Sequence, residues 1–127
     1  MKGKAEGNGQ SSWEEGEFYS GEFKNGSQHE KGIYIFPNGA VYDGEYENGK
    51  RNGMGVFFNI RGKWRYEGQF KDSRRHGNGI FYQEDGTFYI GGFENANFHG
   101  FGSLMSADGR TVIKCGLWEN GELKKPF

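Results

Sequence analysis

Glycine and aromatic residues recur together along this chain at a nearly fixed interval, and that interval constrains the fold more than any other feature. "YSGEFKNG" begins at Tyr19, "YDGEYENG" at Tyr42, "YEGQFKDS" at Tyr66 and "YIGGFENA" at Tyr89, with a weaker copy, "KCGLWENG", from Lys114. A second signature follows each start: "HEKG" at His29, "NGMG" at Asn52, "HGNG" at His76 and "HGFG" at His99. A glycine then closes each unit, at Gly39, Gly62, Gly86 and Gly109. Repeats of this length mark an array of small units, each burying its apolar face against its neighbours. Glycine at 24 positions and a mean hydropathy of -0.91 would by themselves suit a flexible linker. Seven Tyr, 12 Phe and three Trp argue for packing instead, because such rings bury large areas.

No segment has helical periodicity with caps, whereas "PNG", "EDG" and "ADG" are turn signals. "FPNGA" suits a three-residue hairpin loop, with Pro37 and Asn38 in a type I turn and Gly39 in the left-handed position. The opposite turns fall at "KNG", "ENG", "KDS" and "ENA". Each unit is therefore expected to be a β-hairpin, and the chain an all-β meander of about nine or ten short strands. The loop sets the register, pairing Phe36 with Ala40, Ile35 with Val41 and Tyr34 with Tyr42. Residues two apart share a face. One face then carries Tyr42, Gly44 and Tyr46 beside Gly32, Tyr34 and Phe36, and the columns recur at Tyr66, Gly68 and Phe70 and at Tyr89, Gly91 and Phe93. Gly55 with Phe57, and Gly79 with Phe81, supply the matching second strands. A ring lying over a strand glycine buries apolar area without a second sheet.

The unit Y-x-G-x-F-x-x-G-x-x-H-G-x-G, closed by a further glycine, resembles the MORN repeat over residues 7–127. The resemblance implies an elongated, single-layer, antiparallel meander of MORN-type hairpins. Its units are 7–18 (partial), 19–41, 42–65, 66–88, 89–113 and 114–127 (partial), after a tail at 1–6. Glu30 stands at a glycine position, Ser73 and Ala96 replace turn glycines, and Lys114 replaces the opening Tyr, so those units are expected to be less regular.

Chemistry is sparse. His29, His76 and His99 hold one repeat position, but consecutive repeats are two strands apart, about 9.6 Å, too far for a shared zinc ion with ligands near ~2.0–2.3 Å. Glu22, Asp43, Glu45 and Glu67 are spaced alike and form a solvated stripe with no acid/base partner. No P-loop or dinucleotide fingerprint is present. The reading is a non-enzyme without metal or cofactor. A net charge of -1 does not select nucleic acid. The single cysteine, Cys115, suits a reducing, cytoplasmic setting. No apolar run has the length of a membrane-spanning helix.

MORN proteins resembling this chain act as adaptors in cytoskeletal or ciliary assemblies and have been linked to acidic phospholipids. The resemblance thus implies a scaffold that holds a helix or extended segment of another protein. Its aromatic platform is expected at Tyr34, Tyr42, Tyr46, Phe57, Tyr66, Phe70, Phe81, Tyr89 and Phe93. The alternative is a membrane adaptor, with Lys50, Arg51, Arg74 and Arg75 as four cations on one hairpin edge facing anionic headgroups. The polar stripe of the second face turns apolar towards Ile90, Cys115 and Leu117. With strand edges open at both ends, this predicts a partner or second copy against Ile113, Cys115, Leu117 and Trp118, the alternative being an end cap formed by the tail "ELKKPF".

Overall fold

The computed structural model describes residues 7–12 and 16–127. The expected tail at 1–6 and residues 13–15 of the first partial unit lie outside them. Among the described residues, eleven strands form one antiparallel sheet in strict chain order. They are β1 (Gly7–Ser12), β2 (Phe18–Lys24), β3 (Ser27–Ile35), β4 (Val41–Glu47), β5 (Lys50–Asn59) and β6 (Trp64–Lys71). The rest are β7 (Arg74–Tyr82), β8 (Phe88–Glu94), β9 (Asn97–Met105), β10 (Val112–Glu119) and β11 (Glu122–Pro126). The single-layer meander is as expected, and the count corrects nine or ten to eleven. The additional strand is β11, which pairs with β10 from Gly116 to Glu119.

Turns alternate between two sides, and those of the first side vary, with three residues at 37–39 and 84–86 and four at 60–63 and 107–110. On one side, Phe36 N donates to Ala40 O and Gly39 N to Phe36 O, both at 2.9 Å, so the loop is Pro37-Asn38-Gly39. Gly39 has φ 89°, the left-handed value assigned to it. Tyr34 pairs with Tyr42 and Ile35 with Val41, the expected register. On the other side the loops have two residues, as in Asn48-Gly49 between Glu47 and Lys50. Both are left-handed, at φ 53° and 81°, which suits the right-handed twist of a hairpin.

The expectation of looser units at Ser73, Ala96 and Glu30 is overturned. Ser73 and Ala96 keep the same turn at φ 67° and 70°, and Glu30 sits at φ 58° where later units place a glycine. The neighbouring hydrogen bonds over-determine these positions: Ser73 N donates to Arg51 O at 2.9 Å and Ala96 N to Arg75 O at 3.1 Å. Left-handed alanine costs roughly 1–2 kcal/mol, partly returned by its lower freedom in the unfolded chain. Ala96→Gly is therefore expected to stabilise the protein by about 0.5–1 kcal/mol, measurable as a higher urea midpoint; an unchanged or lower midpoint would contradict the turn strain. The unit opened by Lys114 is irregular as expected, with a register shift between Val112 and Lys114.

A row of glycines crosses ten strands. Gly9, Gly21, Gly32, Gly44, Gly55, Gly68, Gly79, Gly91, Gly102 and Gly116 face one another in register from β1 to β10. Tyr19, Tyr42, Tyr66 and Tyr89 lie across this row and are fully buried. A Cβ on Gly55 would sit 2.6 Å from Tyr42 Cε1, so the ring occupies the volume a side chain would take. Each phenol donates a hydrogen bond to the carbonyl three residues on, at 2.8 Å to Glu22, 2.6 Å to Glu45, 2.8 Å to Gln69 and 2.9 Å to Gly92. These bonds satisfy a polar group that burial would otherwise strand.

A second ring row interlocks with the first. Tyr42 meets Tyr46 edge-on at 5.1 Å and Phe70 at 5.0 Å, and Tyr66 meets Phe70 at 5.1 Å and Phe93 at 5.0 Å. Edge-to-face pairs of this kind add about 0.5–1.5 kcal/mol each beyond their area. Every tyrosine thus bridges its own unit to the next, and the core is a line rather than a layer.

The opposite face is exposed and mixed, with Ile33, Met54, Ile90 and Phe101 open to solvent. Its acidic stripe needs correction. β5 carries two extra residues between its pairs Gly44–Gly55 and Tyr46–Arg51. Glu45 Oε1 accepts a 2.6 Å hydrogen bond from Met54 N within that bulge, and Gln69 Oε1 accepts one of 2.8 Å from Asn78 N in the next unit. Glu45 is therefore part of the strand's hydrogen bonding, because the bulge leaves an amide that the ladder does not use.

Candidate functional site

The two-residue turns and the bulges that follow them bring one column of side chains onto the aromatic face: Gln28, Arg51, Arg75, Phe98 and Leu123. In the fourth unit Phe98 stacks flat on Tyr89, with centroids 3.9 Å apart and planes 4° from parallel. Arginine takes that place in the second and third units. The Arg51 guanidinium lies 4.8 Å from the Phe57 ring centre and 5.7 Å from that of Tyr42. Arg75 lies 4.9 Å from Phe81 and 5.9 Å from Tyr66. Planar guanidinium replaces a ring here because it stacks on π faces as a ring does.

Each arginine also ties one unit to the next. Arg51 Nη2 donates to Ser73 O and Arg75 Nη2 to Ala96 O, both at 2.8 Å. Burial lowers the pKa of both guanidiniums from the ordinary arginine value, and the charge of Arg51 lowers that of Arg75 further. Among the described residues no carboxylate comes within ion-pair distance of either. Arg51 Nη1 is buried without a hydrogen-bond partner.

Trp64, at the start of β6, completes the site. Its ring lies 5.0 Å from Phe57 and 6.4 Å from Phe81. Arg51, Phe57, Trp64, Phe70, Ser73, Arg74, Arg75, Phe81 and Ala96, with the Tyr66 ring beneath, line a groove of about 330 Å³. Its walls are rings, and its charge is cationic. This arrangement can hold apolar side chains together with an anionic group.

The expected platform divides in two. Tyr42, Tyr66 and Tyr89 are fully buried, and Tyr46, Phe70 and Phe93 nearly so, so these six hold the sheet together. Tyr34, Phe57 and Phe81 are half-buried and offer ring surface. Trp64 was missed because it precedes the repeat motif. The expected edge of four cations is corrected as well. Lys50 and Arg74 are exposed and, with Lys71, border a depression shared with Asp72, His76 and Glu94. Arg51 and Arg75 turn onto the aromatic face. That placement was legible, since Arg51 stands four residues from Gly55 and Arg75 four from Gly79, the same side of the pleat.

The C-terminal surface is also corrected. Trp118 is buried, pairs edge-on with Tyr89 at 5.3 Å and donates its indole N–H to Gly102 O at 2.9 Å. It plays the part of the second ring in earlier units. Ile113 is exposed, whereas Cys115 and Leu117 are half-buried. Phe127 N donates to Cys115 O at 2.8 Å, so the stretch Cys115–Glu119 is paired rather than open. The histidines gather no metal site among the described residues.

Comparison with known families agrees with this geometry. The model of the MORN repeat matches residues 19–41, 42–59, 66–88 and 89–109. A search of curated proteins finds no match. MORN repeats are non-catalytic modules that generally serve protein interaction or membrane binding. Four tandem matches over units that all place tyrosine across paired glycines lead to one conclusion: the chain belongs to the MORN-repeat family.

Proposed function

We propose that this array is a non-enzymatic scaffold that binds a helix or extended segment of another protein in the groove on its aromatic face. The observation that carries the reading is the division of the rings. A fully buried tyrosine line makes the sheet rigid, while Phe57, Trp64 and Phe81 leave ring surface around a groove of about 330 Å³. Half-buried aromatic anchors on a preorganised surface are the usual source of binding energy in such contacts. The resemblance to MORN adaptors supports placing it in the cytoplasm, in a cytoskeletal or ciliary assembly. A photo-crosslinking benzoylphenylalanine at Trp64 is expected to capture a partner in cells, and the same residue at Met54, on the opposite face, is expected not to. Capture from Met54 alone would overturn the reading.

A second reading rests on Lys50, Lys71 and Arg74 around one depression. Basic residues beside an anionic membrane contribute about 1 kcal/mol each, although Asp72 and Glu94 offset part of that field. If it holds, Lys50→Glu/Arg74→Glu reduces co-sedimentation with phosphatidylserine vesicles. Equal sedimentation of both proteins removes it.

A further inference from the structure

Resting on the scaffold reading, we infer that the groove selects a partner segment bearing an aspartate or glutamate between apolar residues, with the carboxylate seated between Arg51 and Arg75. Three observations converge. The guanidiniums lie on β5 and β7, which flank β6, so their strands are about 9.6 Å apart and a group midway is about 5 Å from each. Both line the same groove. Neither has a carboxylate within ion-pair distance among the described residues; rings and backbone carbonyls are their neighbours.

Like charges held this close on an apolar surface repel, and water screens them less than it would in the open. One monovalent anion between them relieves both. An aspartate or glutamate side chain is the monovalent anion that a peptide segment itself supplies. Nη2 of each guanidinium is already engaged with a backbone carbonyl, at Ser73 and Ala96. The other N–H donors of the two guanidiniums are ample for the two oxygens of one carboxylate. The rings of Phe57, Trp64 and Phe81 then take the apolar neighbours of the acid. The fourth unit sets the contrast. Phe98 occupies the arginine position there, so the preference is confined to the second and third units.

The test is selection of a phage-displayed library of random 12-residue peptides on the full chain. Enriched peptides are expected to share an Asp or Glu flanked by apolar residues. Synthetic versions are expected to bind at least tenfold more weakly when the acid becomes its amide. Arg51→Phe/Arg75→Phe copies the residue that the fourth unit uses, so packing is retained. It should bind the acid peptide at least tenfold more weakly and no longer distinguish acid from amide. The acid-to-amide comparison on the unaltered protein needs no variant, so the inference stays testable if that variant does not fold. Peptides that crosslink to Trp64 yet bind equally as acid and amide would overturn this inference and leave the scaffold reading standing. Peptides that crosslink only to the opposite face would overturn both. Phosphatidylserine vesicles that lose binding to the Arg51→Phe/Arg75→Phe protein, and that no acidic peptide displaces, would overturn the carboxylate assignment in favour of a lipid headgroup.

Discussion

Gly44→Ala is expected to destabilise the protein by about 3 kcal/mol or more, lowering its melting temperature by about 10 °C. The reason is contact with main chain. A Cβ at position 44 would stand 2.5 Å from Gly55 Cα and 2.7 Å from Met54 O on the neighbouring strand. A flexible side chain could turn aside, but here β4 and β5 must separate. Separation breaks the Gly44–Gly55 pairing and lifts Tyr42 from the glycine row. Asp43→Ala, on the exposed face beside it, is expected to change stability by less than about 0.5 kcal/mol. Thermal melts of both variants decide the matter. A Gly44→Ala protein as stable as the parent would mean that the row is not held in close contact.

The second large effect is alkaline unfolding. Removal from water pushes Tyr19, Tyr66 and Tyr89 up to about 12, and Tyr42 and Tyr46 higher still. Tyrosines of the unfolded chain ionise near ~10. Above that pH the unfolded state binds fewer protons than the folded one, so stability, complete below pH ~10, falls as pH rises towards ~12. A fully shifted group loses about 1.4 kcal/mol per pH unit; halving this for water around a one-layer sheet leaves about 0.7 kcal/mol per ring. Five rings over two units then give about 7 kcal/mol, comparable with a typical total stability of ~5–15 kcal/mol. The phenolate would also face the carbonyl that its hydroxyl now bonds. Tyrosinate absorbance and loss of β-sheet circular dichroism are expected to rise together in one cooperative step between pH ~10 and ~12. Smooth titration near pH ~10 with the sheet intact would show that the tyrosine line does not hold it.

Much of the fold was legible because the repeat states it several times. Tyr42 and Gly44 two apart, with Gly55 and Phe57 two apart on the next strand, place ring and gap on one side of the pleat whatever the finer register. Pro37-Asn38-Gly39 specifies its own loop. Less legible were features carried by single residues. Nothing in "ENG" or "ENA" says that Ala96 will accept a glycine's backbone; a hydrogen bond from its amide to the Arg75 carbonyl, in the preceding unit, holds it there. At "KCGLWENG" the sequence leaves two readings open, a partner or a cap formed by the tail; pairing of the tail with Gly116–Glu119 decides for the cap.

The candidate site was only half visible. Tyr42, Tyr66 and Tyr89 share one alternation with Phe57 and Phe81, so sequence does not separate the rings that hold the sheet from those that can touch another molecule. Arg51 and Arg75 neighbour Lys50 and Arg74 in the chain, which suggests one basic edge. Strand alternation separates them.

Sequence alone therefore determined the hairpin unit, its glycine–tyrosine registration and the all-β class, since these follow from local backbone geometry and a period of two. Only the tertiary structure decided which rings are sealed, how each guanidinium ties its unit to the next and what closes the C-terminal strand. Those outcomes depend on contacts between units, and burial is a property of neighbours in space rather than of position in the chain.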